Sequence, residues 1–365
     1  TMLLATLSQE FRSMNPEFDS NEIRITRAGA FNTFARQSQG AMSFITEDLR
    51  QKAGVSMGRS LKMPVLNYKD VTIRSTRPIT IAADENTSAF YTVSFTTLAY
   101  GFKMYPRQHF NNDIDYQMDF NHKMRAFISK LMSTLDGMAV TALDAGKTQI
   151  IGGVQGGANA SGVTTIGGHE WEEDVVSETG VGAKLKDSVI LHDLGSIMIA
   201  NDFEPNRMDI VGNQGMRSIA SRMEGFGALN SENRAFILDG YNWSFSNAIS
   251  NATGKAATAF AVEDGTLGML TRVEPDAIFG TTTGDGHRWG QVNLAGLNFN
   301  VGTYEYDEVV SLGDNEANDL GAGTEYLTRT KMEVVDFAFD IALFAKYNSA
   351  PATIPSGIVK FDIAV

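Results

Sequence analysis

The chain is 365 residues long, 43% hydrophobic and 20% charged, an ordinary globular composition that predicts about two domains. No stretch approaches the roughly eighteen apolar residues of a membrane span, so no membrane partner is expected. Cysteine is absent, which removes disulfides and thiolate chemistry, and the net charge of −13 argues against tight wrapping of nucleic acid.

The start, TMLLATLSQEFRSMN, lacks a basic region ahead of its short apolar run, so a secretory signal is not expected. Thr1 ahead of Met2 is not a natural start, so the numbering is expected to begin after a cleavage or within an engineered chain. Residues 1–60 set Phe11, Phe18, Phe31, Phe34 and Phe44 among six arginines and many Ser, Asn and Gln. That texture suits an arm that buries its rings against another surface; a folded subdomain of low regularity is the alternative. Thr46–Lys52 (TEDLRQK) reads as a short helix.

Residues 65–100 read as a long β-hairpin. VTIRSTRPITI (71–81) and AFYTVSFTTLAYGF (89–102) alternate apolar and polar residues around a DENTS turn (84–88). Pro78 confines its strand to an edge or marks a bulge. No core precedes this hairpin in sequence, so it is expected to project and to lean on something.

Asn111–Lys147 has no proline. Ile114, Met118, Ile128, Leu131, Leu135, Met138 and Ala142 recur mostly three, four or seven apart, the stripe of an α-helix. Asn111, Asn112 or Asp113 can cap its start, and Gly146 with Lys147 reads as its stop. Some thirty helical residues reach roughly 45 Å, a beam across the molecule. Seven glycines in residues 151–168 then predict a loop or a loosely paired turn.

Residues 185–290 look like a mixed sheet flanked by helices. A helix is expected at 186–201, a strand at 208–213, and a second helix capped by Asn213 with Met216, Ile219, Ala220 and Met223 inward. AFILD (235–239) and YNWSFSNAI (241–249) are strand-like. Strands return in 291–310 and in 332–347, where Val335, Phe337, Phe339, Ile341 and Leu343 alternate, and GIVKFDIAV (357–365) reads as a last edge strand.

Charge is unevenly divided. Residues 1–110 carry thirteen basic and nine acidic side chains, +4, and residues 111–365 carry seventeen and thirty-four, −17. One reading is ordinary solvated surface; the other is that the basic third lies on the acidic remainder, in its own subunit or a neighbour.

Motifs for chemistry fail one by one. DAGKT (144–148) has Thr141 where a phosphate-binding loop needs glycine, and it closes a helix instead of opening one. SETGVGAKLK (177–186) lacks a third glycine, no GxSxG elbow exists, and the five histidines have no metal-ligand spacing. DNEANDLG (314–321) lacks EF-hand spacing, and GDGHRWG (284–290), with His287 and Arg288, reads as a turn before a strand. No cofactor is expected and catalysis is not.

The order of parts is a basic aromatic arm, a projecting hairpin, a long helix, a helix-flanked sheet and returning strands. It resembles the major capsid protein of tailed bacteriophages, the shell fold named after phage HK ninety-seven. NDFEPNRMDIVGNQGMRSIASRMEGFGA (201–228) is similar to the axial domain of such proteins, and NFNVGTYEYDEVV (298–310) to the return into the peripheral sheet. The resemblance implies an α+β, HK ninety-seven-like fold. Its parts would be an N-terminal arm (1–60), an extended β-hairpin loop (61–104), a peripheral domain with the spine helix (105–185), an axial domain (186–290), and peripheral return strands with the C-terminal tail (291–365).

It implies a structural role too. Copies would assemble in the host cytoplasm into hexamers and pentamers, then into an icosahedral virion shell around double-stranded DNA that is held without specific binding. Portal, scaffolding and decoration proteins are the implied partners. The residues expected to touch neighbouring subunits are Phe11, Phe18, Arg24, Arg27, Phe31, Phe34 and Arg36 in the arm, with Arg74, Arg77, Phe90 and Tyr91 in the hairpin. Some family members cross-link a hairpin Lys to an Asn; nothing marks Lys62 or Lys69 as reactive, and that chemistry is not carried over. The rival readings are an encapsulin-type shell and an α/β enzyme whose site gathers His192, Asp193 and Glu204.

Overall fold

A computed structural model describes residues 28–56, 58–71, 73, 75–76, 85–105, 116–147, 149–152, 164–166, 169–171, 208–227, 242–251, 255–273, 288–294, 297–312, 326–350 and 357–364. The expected helix at 186–201 and strand at 235–239 lie outside these residues, as do His192, Asp193, Glu204, His287 and the 314–321 loop.

The long helix α3 runs from Tyr116 to Gly146. Its buried stripe is Phe120, Met124, Phe127, Ile128, Leu131, Leu135, Ala139 and Leu143, a spacing of three and four throughout. Met138 and Ala142 sit beside that stripe, half-buried. The proposed caps at 111–113 fall outside the described residues. Gly146 is the helix's last residue and leaves room for a close approach: a Cβ there would stand 2.5 Å from that of Ala345.

Helix α3 lies on a sheet of β3 (Thr96–Met104), β10 (Leu267–Arg272), β11 (Arg288–Leu294), β12 (Leu297–Leu312) and β13 (Tyr326–Ala345). Strand β13 is the axis, pairing along one edge with β3 and along the other with β12 and then β10. The predicted alternation holds, with Val335, Phe337, Phe339 and Ile341 all buried. Phe127 of α3 stacks between Tyr100 (4.8 Å) and Phe337 (5.4 Å) and meets Phe299 edge-on at 5.9 Å. Such ring pairs add about 0.5–1.5 kcal/mol each beyond burial.

A second sheet orders β4 (Gln149–Gly152), β14 (Ile358–Ala364), β9 (Lys255–Glu263), β7 (Met208–Gly212) and β8 (Asn242–Phe245). Here β7 and the helix after it, α4 (Gln214–Gly227), follow the sequence reading, and the Asn213 side chain caps α4 by accepting the Met216 amide at 3.0 Å. Met216 and Ala220 point inward as expected; the side chains of Ile219 and Met223 are outside the described set. The C-terminal strand corrects its expectation. It is no edge, because β14 lies between β4 and β9, and Ile358 and Val359 are buried on both faces of the strand. The short pair β5 (Thr164–Ile166) and β6 (His169–Trp171) matches the loosely paired turn expected among the glycines.

The chain passes from one sheet to the other between β9 and β10. Gly265 makes the turn at φ +80°, where a Cβ would meet the Met42 carbonyl oxygen at 2.3 Å. Gly265→Ala is therefore expected to lower stability by about 2 kcal/mol or more, measured by chemical denaturation.

The expected arm is corrected in its second half. Gly29–Gln39 forms α1, with Phe31 and Phe34 in the main core, and the short helix read at Thr46–Lys52 is α2, Glu47–Val55, with Thr46 as its N-cap. Gln37 ties α1 to both sheets, donating to Asp209 Oδ2 in β7 (2.7 Å) and accepting the Leu267 amide of β10 (3.2 Å). Deletion of residues 1–45 would thus remove core, so a trimming experiment has to stop before Gly29.

Candidate subunit interface

The hairpin exists, with a different first strand. β1 (Ser60–Leu66) pairs antiparallel with β2 (Ser88–Ser94), Pro64 opposite Phe90. Residues 71, 73, 75 and 76 of the expected strand 71–81 lie in no strand, and Val71 and Ile73 are exposed. Pro64 is tolerated because a two-stranded ribbon has no third strand that needs its missing amide. The expected second strand also divides: β2 stays in the ribbon, whereas β3 joins the main sheet.

The ribbon has two unlike faces. Leu61, Met63, Val65, Ala89, Tyr91 and Val93 turn inward, and Met63 and Val93 complete a cluster with Ile45, Ala53, Phe95, Leu270, Ala342 and Phe344. Lys62, Pro64, Leu66, Phe90 and Thr92 turn outward. Leu66 and Phe90 are each 72% exposed and Ile73 beyond them 92%. Among the described residues every exposed large hydrophobic side chain falls between Met42 and Phe90. Leu66 and Phe90, on one face of the ribbon, are the candidates here for contact with another molecule.

One guanidinium holds the ribbon's base. Arg272 of β10 is buried, and its Nε and one terminal nitrogen donate to Asp340 Oδ2 at 2.9 and 2.8 Å. Its other nitrogen donates to the carbonyls of Ser56 and Gly58 (2.7 Å to Gly58), and its Cζ lies 4.4 Å from the Phe95 ring centroid. The Thr97 hydroxyl donates to the second oxygen of Asp340 at 2.6 Å.

Two further buried carboxylates fix α1. Asp136 of α3 accepts the amides of Ala30 (2.9 Å) and Phe31 (3.2 Å) and the Ser246 hydroxyl (2.5 Å). It serves as the N-cap that Ala28 cannot supply. Asp209 lies 2.5 Å from the Arg36 guanidinium, an ion pair set off the hydrogen-bonding angle, and takes its hydrogen bond from Gln37. Asp144 near the end of α3 faces Lys147 and Lys360. Burial works to raise its pKa, but the two ammonium groups outweigh it and hold the carboxyl below its ordinary range. A carboxyl depressed by folding adds stability above its unfolded pKa and loses it as pH falls through the folded value. The melting difference between wild type and Asp144→Asn is expected to close in acid, below the ordinary carboxylate value of 3.8.

Two predicted contact residues, Phe31 and Phe34, are buried in the chain's own core, which corrects the expectation for them; Arg36 and Tyr91 have partners in their own chain and remain partly open to solvent. Arg36 is paired with Asp209. Tyr91 is half-buried against Phe344 and Tyr347 and donates to the Ala345 carbonyl at 3.3 Å; burial raises its phenol pKa. Arg36 and Phe90 are the two predicted contact residues that are described and exposed. Phe11, Phe18, Arg24, Arg27, Arg74 and Arg77 lie outside the described residues. Sequence reading missed Leu66 and the Arg272–Asp340 pair; the run SLKMPVL, alternating in its own right, was the available signal for the first.

No cluster of metal-ligating side chains occurs among the described residues. A cavity of about 480 Å³ at the start of α4 is lined by Asn213, Gln214, Ser218, Asn247 and Asn251 and by no titratable group. It offers neither an acid nor a base for catalysis.

No family model matches the chain, and no curated protein matches it in sequence. In three dimensions the chain is similar to bacteriophage capsid structures. The capsid asymmetric unit of cyanophage Pam1 is 12% identical, with 96% of this chain and 98% of that one covered, at a TM-score of 0.48. A chain of Mycobacterium phage Che8 is 10% identical with 90% of each covered, at 0.46. The mature capsid asymmetric unit of bacteriophage PhiM1 is 8% identical, with 84% and 82% covered, at 0.44.

Proposed function

We propose that this chain is the major capsid protein of a tailed bacteriophage, assembling with copies of itself into hexamers and pentamers and then into the head shell around double-stranded DNA. The carrying observation is the ribbon whose inner face is satisfied by its own chain while its outer face leaves Leu66 and Phe90 in water. An outer face of this kind suits a protein whose partner is another copy. Phe11, Phe18, Arg24, Arg27, Arg74 and Arg77 are proposed as further contacts between copies. Portal, scaffolding and decoration proteins are the remaining proposed partners. An acidic wall need not bind DNA; a repulsive lining lets it slide.

Sedimentation velocity with negative-stain microscopy of the purified chain tests the reading. Capsomers or closed shells are expected, and a monodisperse monomer under all assembly conditions would overturn it. If the +4 and −17 segments attract across subunits, raising salt weakens assembly, because exposed charges are screened beyond about 8 Å at physiological ionic strength. Assembly yield that is flat with salt would remove that attraction and leave the apolar contact standing.

A further inference from the structure

We propose that Arg272 is a positioning residue that sets the angle at which the β1–β2 ribbon leaves the body of the molecule, by gripping both of its roots with one side chain. The inference deepens the assembly reading, in that the ribbon it positions is the proposed contact element.

The ribbon joins the body at two places. The segment after α2 leads into β1, and Phe95 leads out of β2 into β3. Arg272 meets both: its terminal nitrogen donates to Ser56 and Gly58 on the first root, and its Cζ lies over the Phe95 ring of the second at 4.4 Å. The roots are joined to each other as well, by the Phe95 amide donating to the Arg59 carbonyl at 2.8 Å. Asp340 acts through Arg272. It lies across β13 between Arg272 and Thr97 in register, and takes two guanidinium nitrogens on one oxygen and the Thr97 hydroxyl on the other. The carboxylate fixes the plane of the guanidinium, and that plane fixes where its remaining donors point. Only a planar fork with five donors serves three directions at once; a lysine at 272 retains the charge but not the fork. Strands β10 and β13 carry the pair in their own ladder, so the body does not depend on the grip, whereas the ribbon's roots do.

Hydrogen exchange with mass spectrometry on the full chain separates these roles. The Arg272→Met, Asp340→Asn double variant removes both charges, so no unpaired ion is left in the core. The expected result is exchange at the root segments (56–60 and 94–97) faster by at least about tenfold, with the β13 core segment (334–341) unchanged. Arg272→Lys, which retains a charge opposite Asp340 without the planar fork, is expected to give an intermediate rate. Root protection equal to wild type in the double variant and in Arg272→Lys would overturn the proposal. So would a parallel rise in roots and core, which would make Arg272 a general core group. The exchange readout does not depend on shells: a wild type that never assembles would sink the capsid reading and leave this result standing.

Discussion

Asp136→Ala is expected to cost about 3 kcal/mol or more in chemical denaturation. The carboxylate lies on the buried face of α3 and accepts from Ala30, Phe31 and Ser246. Its removal leaves three buried donors without an acceptor, each costing about 1–3 kcal/mol, and leaves the N-terminus of α1 uncapped. The damage spreads because α1 also carries Phe34 and the Gln37 bridge between the sheets. Asp136→Asn retains one acceptor oxygen and is expected to fall between. A loss below about 1 kcal/mol for the alanine variant would mean that α1 is not anchored through this residue.

Leu66→Asp combined with Phe90→Asp is expected to leave the fold within about 0.5 kcal/mol of wild type and to abolish shells. Both side chains stand in water in the single chain, so folding does not depend on them. In an assembled particle the same positions would bring two carboxylates into an apolar contact, where an unpaired charge is strongly opposed. Particles of normal yield and size from the double variant would place the contact elsewhere.

Much of this was legible in the sequence, for identifiable reasons. The spine helix, β7 with the Asn213 cap, and the alternation of β13 are long or strongly periodic, and local periodicity is what a sequence displays. Strand β9, KAATAFAVE, escaped because alanines carry little strand signal, and it is held by neighbours on both sides. Helix α1 escaped because three of its seven buried residues are Thr33, Gln37 and Ser38, which read as surface until Asp136 and Asp209 are brought to the helix. Those carboxylates are themselves silent in sequence: Asp136 meets Ala30 across 106 positions, and nothing local separates a buried aspartate from a solvated one. For the ribbon the sequence pointed to a hairpin in this segment, but not to its first strand, because Pro64 disguised β1 while 71–81 displayed the cleaner alternation.

The central claim is that the outer face of the β1–β2 ribbon lies against another copy of the chain. A density map of the assembled particle, at a resolution that separates side chains, reads this directly at Leu66 and Phe90. The account predicts a neighbouring subunit packed over both rings and branches; assembled particles in which that face looks onto solvent would contradict it.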